Sequence, residues 1–121
     1  NEIKKMFYND FTLNYFKDLK YSGSLINPTH KAMIGSVKQE AIVKLQFVVK
    51  NDVVQEIKYK VFGNVALIVS MEYLANKLIG KKVEDINQIN YNQIVDFFQL
   101  TPIQVNSAMM AVDAFKICIK S

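Results

Sequence analysis

Two ten-residue segments of alternating hydrophobicity constrain this chain more than any other feature. In Ala41 to Lys50 (AIVKLQFVVK), one side carries Ala41, Val43, Leu45, Phe47 and Val49, while Lys44 and Gln46 fall on the other. Asn51-Asp52 then supplies turn formers, and Val53 to Phe62 alternates again. This pattern predicts an antiparallel hairpin with one buried face and one face in water. On the second strand it assigns the buried face to Val53, Gln55, Ile57, Tyr59 and Val61.

Helical spacing of apolar residues appears before and after the hairpin. It predicts helices at Ile3 to Phe16, Val65 to Ile79, Glu84 to Ile89, Tyr91 to Phe98 and Ile103 to Lys120. Asn64 is suited to cap the second helix, Gly80 to end it, and Thr101-Pro102 to begin the last.

The remaining segments complete a fold-class prediction. Leu19 to Thr29 is rich in turn formers and predicts an exposed connection, and a short strand is expected at Ala32 to Val37. A helix, then strands, then a run of helices is typical of the α+β class. We therefore expect a single domain over residues 1–121, with a small antiparallel sheet of about three strands and helices packed on one face.

Composition excludes several functions. The longest run without charge, Phe97 to Val112, contains Pro102 and is shorter than the roughly 20 apolar residues that cross a bilayer, so no membrane association is expected. All 15 basic residues are lysines scattered along the chain, which argues against nucleic-acid binding despite a net charge of +4. The single cysteine excludes an internal disulfide and fits a reducing compartment, and we expect a cytoplasmic location.

Two residues with reactive side chains are best interpreted as non-catalytic. His30 is the only histidine, and it falls in the predicted loop with only lysines among its charged neighbours, which favours a solvated side chain. Cys118 lies between Ile117 and Ile119 on the last helix, which favours a buried, unreactive thiol. We expect no enzymatic activity, because the sequence offers no nucleophile with a base beside it.

The acidic and thioether side chains also suggest structural roles. Glu84 and Asp85 are adjacent, so on a helix they face different directions and suit its first turn. The thioether sulfurs of Met109, Met110 and Met71 are soft ligands of the kind that a metal site uses, but methionines on apolar helices more often fill gaps in a core. The last helix is apolar around most of its circumference, so either the core or a partner must cover it. A homodimer formed through this helix is one of the alternatives.

Several stretches, in their order and spacing, resemble the iron-sulfur cluster assembly scaffolds of the IscU type and the N-terminal domain of NifU. The resemblance runs from about Tyr8 to Lys120. It is carried by YNDFTLNYFKDLKYSG (Tyr8 to Gly23), VKLQFVV (Val43 to Val49), IKYKVFGN (Ile57 to Asn64), LIGKKVEDI (Leu78 to Ile86) and LTPIQVNSAMMAVDAFK (Leu100 to Lys116).

In that family a cluster is built on three cysteines, helped by an aspartate and a histidine. The resemblance places the first cysteine on Gln39 and the aspartate on Ala41, the second cysteine on Asn64, the histidine on Asn106 and the third cysteine on Ser107. Every one of these positions is substituted, so the resemblance implies the fold without its thiolate ligands. Cys118 would not replace them, because it lies roughly 16 Å beyond Ser107 along a helix.

A second motif of the family is partly retained. The segment Leu100, Thr101, Pro102, Ile103 and Gln104 is similar to the Leu-Pro-Pro-Val-Lys stretch that family members offer to an Hsp70-type chaperone, and it departs at Thr101 and Gln104. The simpler interpretation is a capped helix start.

The resemblance implies two alternative functions. In the first, the protein binds no cofactor and acts as an adaptor or regulator through protein contacts, with a cysteine desulfurase, an Hsp70-type chaperone or a paralogous scaffold as partner. In the second, it carries iron or an iron-sulfur cluster on unorthodox ligands, such as Glu40 with Gln39 and Asn64.

Overall fold

The computed structural model describes residues 7–121 and has a three-stranded antiparallel sheet with four helices. The strands lie in the order β1 (His30–Ser36), β2 (Ala41–Lys50), β3 (Val53–Phe62). The helices are α1 (Asp10–Phe16), α2 (Val65–Leu78), α3 (Tyr91–Phe98) and α4 (Val105–Ile119), with 3-10 turns at Val83–Gln88 and Pro102–Gln104. The predicted α+β class, with helices on one face of the sheet, is confirmed.

The hairpin forms as its sequence pattern predicts. Strands β2 and β3 have the expected bounds, and Asn51 and Asp52 both have positive φ, at 54° and 62°. Two consecutive residues with positive φ form the type I′ turn, whose twist matches that of the flanking strands.

One side of the predicted alternation on β3 is wrong at its start. Val54 is buried, Gln55 is exposed, and the pairing shifts between Val48 and Val49. Gln55 is the extra residue of a β-bulge. On the N-terminal side of the bulge, even-numbered residues face the core, whereas odd-numbered residues do so on its C-terminal side. From Ile57 onward the predicted inward residues do face the core.

Other boundaries differ for local reasons. In the described residues the helix expected at Ile3 to Phe16 is interrupted at Asn9, whose side chain accepts a hydrogen bond from the Thr12 amide (2.7 Å) and starts α1; residues 3–6 lie outside the described residues. Strand β1 begins at His30, so this histidine is the first strand residue and not part of the loop. The last helix opens with a 3-10 turn before α4.

The core lies between the inner face of the sheet and the helices α2 and α4. Phe47 of β2 packs against Phe115 of α4 with ring centroids 5.5 Å apart, and both side chains are fully buried. Small residues on the inner side of α4 bring it close to the sheet, while Met109 and Ile117 remain exposed on its outer side. The core therefore covers most, but not all, of the apolar circumference of the last helix.

A buried carboxylate fixes the long connection between α1 and β1. Glu72 of α2 is only 1% exposed, and it accepts hydrogen bonds from the Tyr59 hydroxyl (2.9 Å), the Asn76 amide (3.3 Å) and the backbone amides of Lys20 (3.0 Å) and Tyr21 (3.2 Å). Burial, followed by the nearby negative charge of Glu72, raises the pKa of Tyr59. These bonds hold a helix, a strand and a loop together.

The same connection crosses the outer face of the sheet. It pairs with the edge of β3, where the Gly23 amide donates to the Tyr59 carbonyl (2.9 Å), and passes over β2, where the Leu25 amide donates to the Gln46 side chain (2.7 Å). It ends at β1 through Thr29, whose amide donates to the Phe47 carbonyl (2.8 Å). The predicted connection is thus a loop that covers one end of the otherwise open face.

No described helix has the length and hydrophobicity that a membrane crossing requires.

Replacing Glu72 by Ala should lower the free energy of unfolding, because each buried donor left without an acceptor costs about 1–3 kcal/mol. Urea unfolding followed by circular dichroism measures the change. Glu72→Gln is the matched control: it keeps the size of the side chain and one of the two accepting oxygens, so it should lose less stability than Glu72→Ala. Equal stability of Glu72→Ala and the wild type would contradict this role.

Replacing Lys60 by Glu should raise stability by roughly 0.2–1 kcal/mol, since Lys44 lies directly opposite Lys60 and like charges in that position repel. Thermal unfolding at low salt measures the effect. Lys60→Gln should fall between the wild type and Lys60→Glu, and a destabilised Lys60→Glu would contradict the repulsion.

Candidate functional site

A cleft of about 900 Å³ opens where one end of the sheet meets the N-termini of α2 and α4. Three chain segments form it: the turn between β1 and β2, the residues before α2, and the first turn of α4. Its lining includes all five positions that the resemblance singled out, namely Gln39, Ala41, Asn64, Asn106 and Ser107. Residues far apart in sequence are thereby brought to one place.

The turn between β1 and β2 is tight and partly strained. The Gln39 amide donates to both the carbonyl (3.2 Å) and the hydroxyl (3.2 Å) of Ser36, and the Glu40 amide donates to the Val37 carbonyl (2.9 Å). Glu40 has φ of 57°, a left-handed conformation that favours glycine. This conformation occurs where the turn brings Gln39 and Glu40 to the wall of the cleft.

Gly35 of β1 lets the cleft wall close. Its φ is 92°, and a Cβ added there would collide with the Ala41 carbonyl oxygen and would lie 2.7 Å from the terminal methyl carbon of Met110. Only glycine fits at this point. Because Gly35 has no side chain, β1 can lie close to the start of β2 and to α4 beside the cleft.

Asn64 and Ser107 connect the two helix starts. The Asn64 side-chain oxygen accepts a hydrogen bond from the Leu67 amide (2.8 Å), which caps α2, and a second one from the Ser107 hydroxyl (3.1 Å). Both bonds use the same oxygen. We call this pair of bonds the Asn64–Ser107 link; it joins the N-terminus of α2 to the first turn of α4.

Comparison with known proteins decides the family. The model of the NifU-like N terminal domain matches residues 7–121. The chain belongs to this family. The iron-sulfur cluster assembly protein IscU of Plasmodium falciparum is 25% identical over an alignment of 130 positions, which covers 100% of this chain and 80% of that protein.

Two solved structures share the fold of this family member. A candidate iron-sulfur cluster assembly scaffold of the SUF system from Fervidobacterium islandicum has a TM-score of 0.78 at 18% identity, covering 94% of this chain and 97% of that one. A NifU-like N-terminal domain from Brucella abortus has a TM-score of 0.75 at 18% identity, covering 93% and 91%.

The donor groups of the cleft do not suit an iron-sulfur cluster. Clusters are held by thiolates, and these five positions supply amides, a hydroxyl and a methyl group. The Asn64 oxygen is already committed to two hydrogen bonds. Within residues 7–121, no group of three or more His, Cys, Asp or Glu side chains is placed to hold a metal ion.

The single cysteine lies in the core, away from the cleft lining. Cys118 is 0% exposed, and its Sγ contacts the Leu45 carbonyl at 3.5 Å. Burial raises the pKa of the Cys118 thiol from 9.0 to about 12. The prediction of a buried thiol is confirmed, and its raised pKa leaves very little thiolate at neutral pH.

The remaining sequence candidates lie in separate places. Met71 is fully buried in the core, while Met109 and Met110 line the cleft, so the three thioethers do not form one site. His30 contacts the Thr29 hydroxyl (2.9 Å) and is not among the cleft residues. Glu84 and Asp85 lie in the first turn of the 3-10 helix Val83–Gln88, as predicted.

The segment Leu100 to Gln104 lies directly before α4 and is anchored at both of its ends. Leu100 and Gln104 are buried; the Gln104 side chain accepts from the Thr101 amide (3.0 Å) and donates to the Phe7 carbonyl (2.8 Å). Pro102 starts the 3-10 turn, and Ile103 is 84% exposed. The helix-start interpretation explains the anchored residues but leaves the exposed isoleucine without a packing role.

Two residues of the cleft and one buried carboxylate were not predicted from the sequence. Asp113 and Phe62 line the cleft, but only the fold brings α4 and the end of β3 together. Glu72 carried a readable signal, since it is a lone acidic residue within the apolar sequence VALIVSMEYL. A charge on the buried stripe of a helix indicates a buried polar network.

Stability should fall as the pH rises from about 9 toward 12. The Cys118 thiol has its pKa raised by folding, so it stabilises the folded state fully below pH 9.0, and this contribution is lost as the pH rises through about 12. Urea unfolding at pH 8 and pH 10.5 measures the loss. Cys118→Ala should reduce the loss without abolishing it, because burial also raises the pKa of Tyr59 and Tyr15. A thiol that reacts with a maleimide at pH 7 before the chain unfolds would contradict this account.

Proposed function

We propose that this protein acts in iron-sulfur cluster assembly as a scaffold-fold adaptor or regulator that does not itself carry a thiolate-bound cluster. One observation carries the proposal: the five positions matched to the family's cluster ligands line one cleft, and none of them is a thiolate. The scaffold architecture is therefore kept while the groups that hold iron and sulfide are replaced.

The replaced groups support a structural role for this cleft. Asn64 caps the start of α2 by accepting from the Leu67 amide, and the Ser107 hydroxyl of α4 donates to the same Asn64 oxygen. The Ser107 hydroxyl donates to an amide oxygen, which is not a base, so the pair does not form an activated nucleophile. This chemistry favours a binding protein over an enzyme.

The proposed partners are other components of cluster assembly: a cysteine desulfurase, an Hsp70-type chaperone or a paralogous scaffold. The exposed Ile103, held beside Pro102 on the anchored segment, is the feature that supports a chaperone contact. An exposed apolar side chain on an anchored segment is suited to insertion into a groove of a partner.

Iron binding on hard ligands is the second candidate. Glu40 and Asp113 line the same cleft, and carboxylates bind iron through oxygen. Amides such as those of Gln39 and Asn64 are weak ligands, which leaves two good donors. The two candidates differ in the amount of iron bound per chain: the hard-ligand candidate binds iron without sulfide, and the first candidate binds neither.

Anaerobic reconstitution with ferrous iron and sulfide tests the proposal. The desalted wild-type protein should be colourless, with neither iron nor sulfide in stoichiometric amounts. A variant with restored ligands (Gln39→Cys, Ala41→Asp, Asn64→Cys, Asn106→His, Ser107→Cys) should gain visible absorbance with both elements bound, because thiolates then meet in the cleft.

A matched control carries Gln39→Ser and Asn64→Ser with the same Ala41→Asp and Asn106→His, so that only the thiols are absent. A stoichiometric chromophore on the wild type would overturn the proposal. Iron without sulfide on the wild type would favour the hard-ligand candidate. A folded but colourless restored variant would contradict the assignment of these positions to one ligand set.

A further inference from the structure

The outer face of the sheet carries an open surface directly beside the cleft. The strand register sets Gly35, Ile42 and Phe62 in one row, and the next row consists of Met33, Lys44 and Lys60. Lys31, Gln46 and Lys58 form a third row, which the connection between α1 and β1 overlies at Gln46 and Lys58. We call the uncovered part, which consists of the exposed Met33, Lys44, Lys60 and Phe62 and the half-buried Ile42, the open sheet face.

The two lysines of the open sheet face are not neutralised. Lys44 and Lys60 are exposed and directly opposite each other, and among residues 7–121 neither ammonium has an ion-pair partner. Lys58, by contrast, donates to the Lys20 carbonyl (3.1 Å) and is held by the loop. Like charges directly opposite on a sheet repel, so this pair weakens the fold where it stands.

Large apolar side chains flank the lysines. Met33 is 67% exposed and Phe62 is 60% exposed, and Phe62 also lines the cleft. Exposed apolar side chains beside unpaired charges favour a partner that supplies both apolar and oppositely charged groups. The open sheet face is bounded by the loop on one side and by the cleft on the other.

The charge pattern selects the occupant. A second copy bound through a two-fold axis would place Lys44 and Lys60 against the same residues, which disfavours self-association here. A nucleic acid is disfavoured because this chain has no arginine and this surface has only one aromatic side chain, at its end. A membrane is disfavoured because surface binding needs about 4–8 clustered basic residues.

We infer that the open sheet face docks an acidic segment of a partner protein, with Met33 and Phe62 contacting its apolar side chains and Lys44 and Lys60 its carboxylates. The inference rests on the proposed function, because it names the chemistry of the partner that an adaptor would bind. Opposite charges across an interface both speed association and fix its register.

The test uses a fluorescein-labelled synthetic peptide of alternating Asp and Leu residues, titrated with the full chain at low and at physiological salt. Binding should weaken at least tenfold at the higher salt, because the charges are exposed and screened. Amide shifts in a ¹⁵N spectrum should move mainly at Met33, Lys44, Lys60 and Phe62.

Charge reversal separates recognition from folding. Lys60→Glu should raise the midpoint of thermal unfolding while weakening peptide binding at least fivefold, and Lys44→Glu with Lys60→Glu should weaken it at least thirtyfold. Lys77→Glu with Lys120→Glu is the matched control, since both lysines are exposed and lie outside the open sheet face, Lys77 on α2 and Lys120 directly after α4, and its affinity for the peptide should stay within twofold of that of the wild type.

Several outcomes would overturn the inference: no peptide binding, shifts spread over other surfaces, equal losses in the control variant, or tighter binding through Lys44 and Lys60 to a 20-nucleotide single strand or to phosphatidylserine vesicles than to the peptide. Reconstitution is read separately. If the wild-type protein holds a cluster and binds the peptide, only the proposed function is overturned. If it is colourless and does not bind the peptide, only the docking surface is overturned.

Discussion

The burial of one face of the β2–β3 hairpin beneath α2 and α4 is the interaction on which the rest of the structure depends. Phe47 and Tyr59 project from neighbouring strands into the same core, and removing such large side chains from water is the main source of stability. The hairpin fixes where β3 ends, and the end of β3 fixes where α2 begins. The cleft exists because this ending lies next to the first turn of α4 and the turn before β2.

Features set by local periodicity could be predicted from the sequence. The bounds of β2 and β3 follow from alternation, and the start of α2 follows from Asn64, whose capping role depends only on residues three positions apart. The bulge at Gln55 could not be predicted, because one inserted residue leaves both flanking segments alternating. The break at Asn9 was missed because the apolar spacing continues through it.

The candidate site was predicted only through the family resemblance. Gln39, Asn64 and Ser107 share no motif of their own, and nothing in their local sequences indicates that they meet. Asp113 and Phe62 were missed for the related reason that their place in the cleft arises from tertiary packing. The network around Glu72 joins residues about fifty positions apart, and only its central carboxylate could be recognised from its apolar neighbours.

The Asn64–Ser107 link has a further consequence for the conditions under which this fold is maintained. A site closed by thiolates is open to oxidation, whereas an amide and a hydroxyl have no such chemistry. The only sulfhydryl is shielded inside the molecule. The two helix starts are thus joined by groups whose hydrogen bonds do not depend on whether the surroundings are oxidising or reducing.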